Sequence, residues 1–223
     1  MPLAAVLFDM DGTLVDTEPY WIEAEYEIVA EFGGTWSDEH AHALVGNALI
    51  TSAEYIRVHG PVPLEPIEIV ERLLERVVAA ARREMPWRPG AVDLLAELRR
   101  HDLPLALVTM SYDSLAQTMI SQLPPGTFAA VVTGDQVLDG KPHPEAYLTA
   151  AARLGVDPGE CIAIEDSPTG VASAEAAGCV VIAIPHAVPI ETAPTRILHA
   201  SLADLTVARL EALVDLRAAA AGD

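Results

Sequence analysis

Five short stretches of the chain are continuously apolar: residues 4–8 (AAVLF), 103–109 (LPLALVT), 129–133 (AAVVT), 161–165 (CIAIE) and 179–184 (CVVIAI). Unbroken runs of this length suit strands covered on both faces, because half-exposed strands alternate instead. Helical periodicity fills the gaps. Residues 90–101 place Val92, Leu94, Leu95 and Leu98 on one face, and 144–155 do the same with Ala146, Tyr147, Ala150, Ala151 and Leu154. A third helix over 168–177 has Pro168 in its first turn and Gly178 just past its end. Such strand–helix alternation predicts an α/β fold, a Rossmann-like doubly wound parallel sheet.

Residues 18–85 break the alternation and read as helices only, over 19–32, 37–45, 50–59 and 66–83. In the last of these Val70, Leu73, Leu74, Val77, Val78 and Ala81 share a face. Glu68 and Arg72 there are spaced for a favourable i, i+4 pair. An all-helical block following the first strand implies an inserted cap, residues 17–86, on a core made of 1–16 and 87–223. The junctions fall at Val15–Glu18 and Met85–Pro89, the second stiffened by Pro86 and Pro89. There are no internal repeats, and the tail after Arg217 (AAAAGD) is expected to fray.

Charge then narrows the function classes. The 223 residues include 33 acids and 13 bases, a formal net charge of −20. A nucleic-acid binder needs a basic face, since phosphate neutralisation supplies most of its affinity. Here no Lys or Arg precedes Arg57. The same gap removes the basic start of a secretion signal and the Arg-rich pattern of a transit peptide. No apolar run approaches the roughly 18 residues of a membrane span. The expectation is a soluble, cytoplasmic monomer without nucleic-acid or membrane partners. Cys161 and Cys179 sit beside apolar runs and read as small buried hydrophobes, not as a disulfide or a zinc site.

The candidate chemistry gathers at strand ends. Asp9-Met10-Asp11-Gly12-Thr13 follows the first strand, and carboxyl ends of parallel strands face the ligand crevice. Two close carboxylates repel, so they need a counter-charge. A hard cation such as Mg²⁺ takes oxygen ligands of this kind. Thr109 ends the second run, and Met110 and Ser111 follow it at a possible helix start, where a hydroxyl beside helix N–H groups can receive an anion. Glu165-Asp166 ends the fourth run, as metal ligands or as a helix N-cap. Twelve of the bases are Arg, and Lys141 is the one lysine, set in Gly140-Lys141-Pro142-His143-Pro144. Compositional bias explains why lysine is scarce, but not why one persists, or why it persists in a proline-stiffened loop just before a helix. A compact ammonium suits a place where a point charge meets both carboxylate and phosphate. Together these groups form a set for Mg²⁺-assisted phosphoryl transfer through a carboxylate nucleophile.

FDMDGTLVDTE (8–18), VTMS (108–111), GKPHPEAY (140–147) and IEDSPTG (164–170) resemble, in order, the four motifs of the haloacid dehalogenase superfamily. The branch they are most similar to is the β-phosphoglucomutase-like one with a helical cap. Met110 departs slightly, standing where a small or amide residue is commoner. The resemblance implies Asp9 as nucleophile and Asp11 as acid, then base. It implies phosphate contacts from Thr109, Met110, Ser111 and Lys141. It places Mg²⁺ on Asp9, the Asp11 carbonyl and Asp166, with Glu165 nearby or assisting. The stretch Thr13–Thr17 would hinge the cap, and Thr17, Glu18 and Trp21 would line the substrate pocket.

Within that resemblance Asp11 favours phosphate esters over carbon–halogen bonds, because halide displacement needs no proton donor. A phosphomutase is the rival reading. True β-phosphoglucomutases carry a His where this chain has Trp21, and a cap Arg where Asn47-Ala48-Leu49-Ile50 follow Gly46. The expected activity is therefore a phosphatase acting on a small phosphorylated metabolite such as a sugar phosphate. A phospho-acceptor signalling module, also built on an acid cluster, a hydroxyl and a lysine, would be shorter and lack the helical insertion.

Overall fold

The computed structural model describes residues 3–45 and 47–221. Six strands form one parallel sheet: β1 (Ala5–Phe8), β2 (Leu105–Val108), β3 (Ala130–Val132), β4 (Cys161–Glu165), β5 (Val180–Ala183) and β6 (Arg196–Leu198), in the order β3-β2-β1-β4-β5-β6. The first five are the apolar runs, trimmed at their ends. Central β1 pairs with both β2 and β4, Leu7 standing opposite Ala106 on one side and Ala163 on the other. The carboxyl ends of three strands thus lie side by side.

The sheet's two faces differ in size of side chain. One presents Val6, Phe8, Leu105, Leu107, Ile162 and Ile164. They pack with α5 (Ala91–Arg100), α6 (Asp113–Ile120) and α9 (Val207–Ala221). The other presents Ala5, Ala106, Ala163 and Ala183, against Ala146 and Ala150 of α7 (Glu145–Leu154) and Ala174 of α8 (Pro168–Ala176). Small residues on both sides let these two helices lie close to the sheet. Cys161 and Cys179 belong to this second layer, fully buried, as expected of small hydrophobes.

Between β1 and α5 come α1 (Glu18–Glu31), α2 (Asp38–Leu44), α3 (Leu49–His59) and α4 (Pro66–Arg83). Helix α4 is the most strongly two-faced, burying Ile69, Val70, Leu73, Leu74, Val77, Val78 and Ala81, and it packs on α1, α3 and α6. Each such large apolar side chain contributes roughly 1.5–3 kcal/mol when fully buried. The spacing that predicts an ion pair between Glu68 and Arg72 is not used. Glu68 instead closes a capping box by accepting from the Glu65 backbone N–H, and Arg72 pairs with Glu31 of α1.

The chain leaves and re-enters the sheet through paired segments: the Asp16 N–H donates to the Pro86 carbonyl and the Arg88 N–H to the Leu14 carbonyl, both at 2.8 Å. His186, beyond β5, ties them together, accepting at Nδ1 from Arg88 (2.8 Å) and meeting Asp16 through Nε2 (3.0 Å). Helix α9 runs to Ala221 through most of the tail expected to fray; residues 222 and 223 lie outside the described residues. No helix among those described is long and apolar enough to cross a membrane.

Candidate active site

Asp9 is held at the end of β1 by its N–H bond to the Ile164 carbonyl (3.0 Å), Thr109 at the end of β2 by its bond to the Val132 carbonyl (2.9 Å). The turn after Asp9 closes at once, with Gly12 N–H donating to the Val15 carbonyl (2.7 Å). Gly12 has φ +86°, and a Cβ there would sit 2.0 Å from Asp166 Oδ2. Position 12 must be glycine both for its backbone and for the room it leaves a carboxylate.

Lys141 bridges the acids. Its Nζ donates to Asp9 Oδ1 (2.7 Å), Glu165 Oε1 (2.6 Å) and the Val108 carbonyl (2.9 Å), and its side chain is only 5% exposed. Burial alone would favour the neutral amine, but Asp9 and Glu165 outweigh it and hold the ammonium's pKa above its ordinary value. Tyr147, fully buried on α7, donates its hydroxyl to the same Glu165 oxygen (2.6 Å) and lays its ring 5.2 Å from the ammonium. Met110 contributes through its thioether, which accepts from the Lys141 N–H (3.3 Å). The departure from the family pattern thus seats the lysine's backbone.

Asp11 is surrounded by hydroxyls. Thr109 (3.1 Å) and Ser111 (2.8 Å) donate to Oδ2, and Thr17 donates to Oδ1. Burial, then the neighbouring Asp9 charge, push its pKa up; the three hydroxyls pull the other way without prevailing. A carboxyl whose pKa is raised beside one that is salt-bridged is the kind of separation acid catalysis requires.

The acid pair at the end of β4 divides its work. Glu165 is fully buried, and both of its oxygens have donors: Lys141 and Tyr147 at Oε1, Ser167 at Oε2 (3.3 Å). Burial raises its pKa and Lys141 opposes the rise. A Cβ at Gly170 would fall 1.9 Å from Glu165 Oε2, so α8 can begin here only with glycine at that place. Asp166 lies against Gly12, its pKa raised by burial and by Asp9 and Glu165. The N-cap of α8 is Ser167, accepting from the Gly170 N–H (3.1 Å), so neither acid serves as the cap.

Asp9, Glu165 and Asp166 present carboxylate oxygens within 4.8 Å of one another. Asp9 Oδ2 is buried without a hydrogen-bond partner, an orphan that is costly unless something positive meets it. Hard oxygens and an unmet charge fit a divalent cation. The Asp11 side chain is outside this cluster, and its oxygens accept from the three hydroxyls instead.

One cavity joins these groups to the helical block. Asp9, Asp11, Thr109, Met110, Ser111, Lys141 and Asp166 form its floor, and Thr17, Glu18 and Trp21 belong to its wall. Glu25, Asn47 and Ser52 also reach it. Tyr147 and Glu25 were hidden in sequence as helix-face positions; Tyr147's place within GKPHPEAY was the one available signal.

The family model of haloacid dehalogenase-like hydrolases matches residues 3–178. The chain belongs to that family. Its curated relatives include hexitol phosphatase A of Escherichia coli, 36% identical over 208 residues that cover 91% of this chain and 93% of the relative. Among solved structures it is similar to CbbY from Rhodobacter sphaeroides in complex with phosphate, at 30% identity and TM-score 0.85, covering 93% of this chain and 99% of that one. A mutant of CbbY was solved in complex with xylulose-(1,5)bisphosphate. A β-phosphoglucomutase from Clostridium difficile shares the fold at TM-score 0.81 and 20% identity, covering 97% and 99%. This haloacid dehalogenase-like hydrolase is a phosphoric monoester hydrolase.

Proposed function

We propose that the protein is a Mg²⁺-dependent phosphatase that hydrolyses a small phosphorylated metabolite, a sugar phosphate or a similar polyol phosphate, through an aspartyl-phosphate on Asp9. The observation that carries the reading is the unequal pair. Asp9 is salt-bridged to Lys141 with one oxygen unpartnered, while Asp11, two residues on, has its pKa raised in a nest of hydroxyls.

An oxygen of Asp9 attacks phosphorus as the ester P–O bond breaks, and Asp11 gives its proton to the departing alkoxide. Asp11, now a carboxylate, takes a proton from the incoming water, whose oxygen bonds phosphorus as the aspartyl P–O bond breaks. Inorganic phosphate leaves, Asp9 returns as carboxylate and Asp11 is again protonated. Lys141 neutralises charge on Asp9 and on the phosphoryl oxygens, with Thr109, Met110 and Ser111 beside it. Mg²⁺ would be held by Asp9, Asp166 and the Asp11 carbonyl, with Glu165 committed to fixing Lys141. When bound, it supplies charge neutralisation at the transferring phosphoryl group. Residues 17–86 act as a cap that excludes water, with Thr17, Glu18 and Trp21 facing the substrate.

Trp21 at the position of the mutase histidine argues against the phosphomutase reading. Two cysteines buried as small hydrophobes suit a reducing, cytoplasmic setting. The test is phosphate release from a panel of phosphorylated metabolites with Mg²⁺. Asp9→Asn should abolish turnover with an unchanged circular dichroism spectrum, and EDTA should stop the wild type until Mg²⁺ is restored. Substantial turnover by Asp9→Asn would remove Asp9 from the nucleophile role.

A further inference from the structure

The mechanism leaves one buried acid unused. Glu25, on α1, is 5% exposed and lines the cavity on the side of the helical block, away from Asp9. Its Oε2 accepts from Trp36 Nε1 (3.2 Å), and this is the one side-chain hydrogen bond it makes among the described residues. Trp36 is itself fixed, stacked on His40 at 4.7 Å, with His40 Nδ1 in turn 2.9 Å from the Tyr55 hydroxyl. A carboxyl buried with one bond is expensive unless a ligand completes its set. Its neighbours in the wall are mostly apolar, among them Ile22, Leu44, Leu49 and Leu73, with Ser52 and Asn47 as the nearby polar groups.

The charge of this wall is equally informative. Among the described residues lining the cavity there is no Arg or His, and the one Lys is Lys141, already engaged by Asp9 and Glu165. His42 and His186 line an adjoining opening beside Asp16, which shares Glu18, Ile22, Val45 and Ala187 with the cavity. A second phosphate or a carboxylate entering this half would meet the Glu18 carboxylate and find no cationic side chain among the cavity's own lining residues apart from the engaged Lys141, and an anion buried without a counter-charge is costly.

We propose that Glu25 is a specificity-determining residue. It hydrogen-bonds hydroxyls of the substrate's remainder, the part beyond the phosphate, and its surroundings accept an uncharged, hydroxylated remainder and reject one bearing a second anionic group. This rests on the phosphatase reading above, in which the phosphate occupies the Asp9 end. Burial also pushes the Glu25 pKa up to about 8. At neutral pH the group therefore carries its proton much of the time, and can both donate to and accept from a hydroxyl.

The experiment compares kcat/KM of the wild type, with Mg²⁺, on four compounds: p-nitrophenyl phosphate, a hexitol monophosphate, the hexitol bisphosphate, and the aldonic acid phosphate of the same carbon chain. The hexitol monophosphate should exceed both doubly anionic compounds by about tenfold or more. Glu25→Leu should raise KM for the hexitol monophosphate about tenfold with little change in kcat, and Glu25→Gln, whose amide also donates and accepts, should restore it. Turnover of the bisphosphate or aldonate equal to that of the hexitol phosphate overturns the proposal, whether or not Glu25→Leu folds. So does a Glu25→Leu enzyme whose KM is unchanged, or whose kcat falls alike on all four compounds. If the wild type releases no phosphate even from p-nitrophenyl phosphate, it is the phosphatase reading that fails.

Discussion

At the scale of single residues, the site works because similar groups are given different surroundings. Lys141 is the sharpest case. Its ammonium meets three acceptors pointing in different directions, which a planar guanidinium cannot reproduce in the same space. Lys141→Arg should lower kcat about a hundredfold, and a near-wild-type rate would make the lysine incidental. Glu25 offers a test by pH. Its carboxyl is shifted from 4.5 to about 8 by burial, with Glu18 adding to the rise and Trp36 opposing it. The folded state therefore binds its proton more tightly than the unfolded chain does. Below the unfolded pKa this group costs nothing, and stability is lost as pH rises from 4.5 towards 8. Glu25→Gln should remove that component. The stability gap between variant and wild type in urea titrations should widen across this window, by on the order of a few kcal/mol in favour of the variant. A gap independent of pH would contradict it.

At the scale of elements, close packing and motif spacing reinforce each other. Helix α8 begins against Glu165 because Gly170 leaves room for the carboxyl. Gly170→Ala should displace Glu165, loosen its hold on Lys141, and cost about 1–3 kcal/mol in thermal or urea unfolding together with most of the activity. Unchanged activity would show that Glu165 can shift harmlessly. Strands β1 to β5 and the helices over 66–83, 90–101, 144–155 and 168–177 were legible because burial on both faces, or along one stripe, leaves a strong apolar signal. Strand β6 was not: Arg196-Ile197-Leu198 is a half-exposed edge of three residues, and Arg196 is there to pair with Glu175. Helix α1 was seen, but Glu25 within it was not, because a buried acid on a weakly two-faced helix looks like a solvent position. The floor of the site was legible since its residues sit at strand ends in short, dense motifs. The wall facing it comes from four helices whose convergence no local pattern encodes.

For the whole molecule, the net charge of −20 sets the protein against its own substrate. Long-range repulsion slows the approach of an anion, and the attraction supplied by Lys141 and a bound cation acts only at short range. Salt should therefore help rather than hinder. Raising ionic strength from about 0.01 to about 0.15 M should increase kcat/KM for an anionic ester, by about two- to threefold. A decrease would mean that the local cationic field dominates at a distance.

The burial of the single lysine side chain has a practical consequence. The folded surface offers carboxylates, guanidinium groups and imidazoles, but Lys141 is locked between Asp9 and Glu165 with its side chain 5% exposed. An acylating reagent can reach this ε-amine only during excursions that break both ion pairs. The rate at which one acyl group appears on Lys141 is then a clock for the opening of the cavity floor, readable by peptide mass without a substrate or an introduced label.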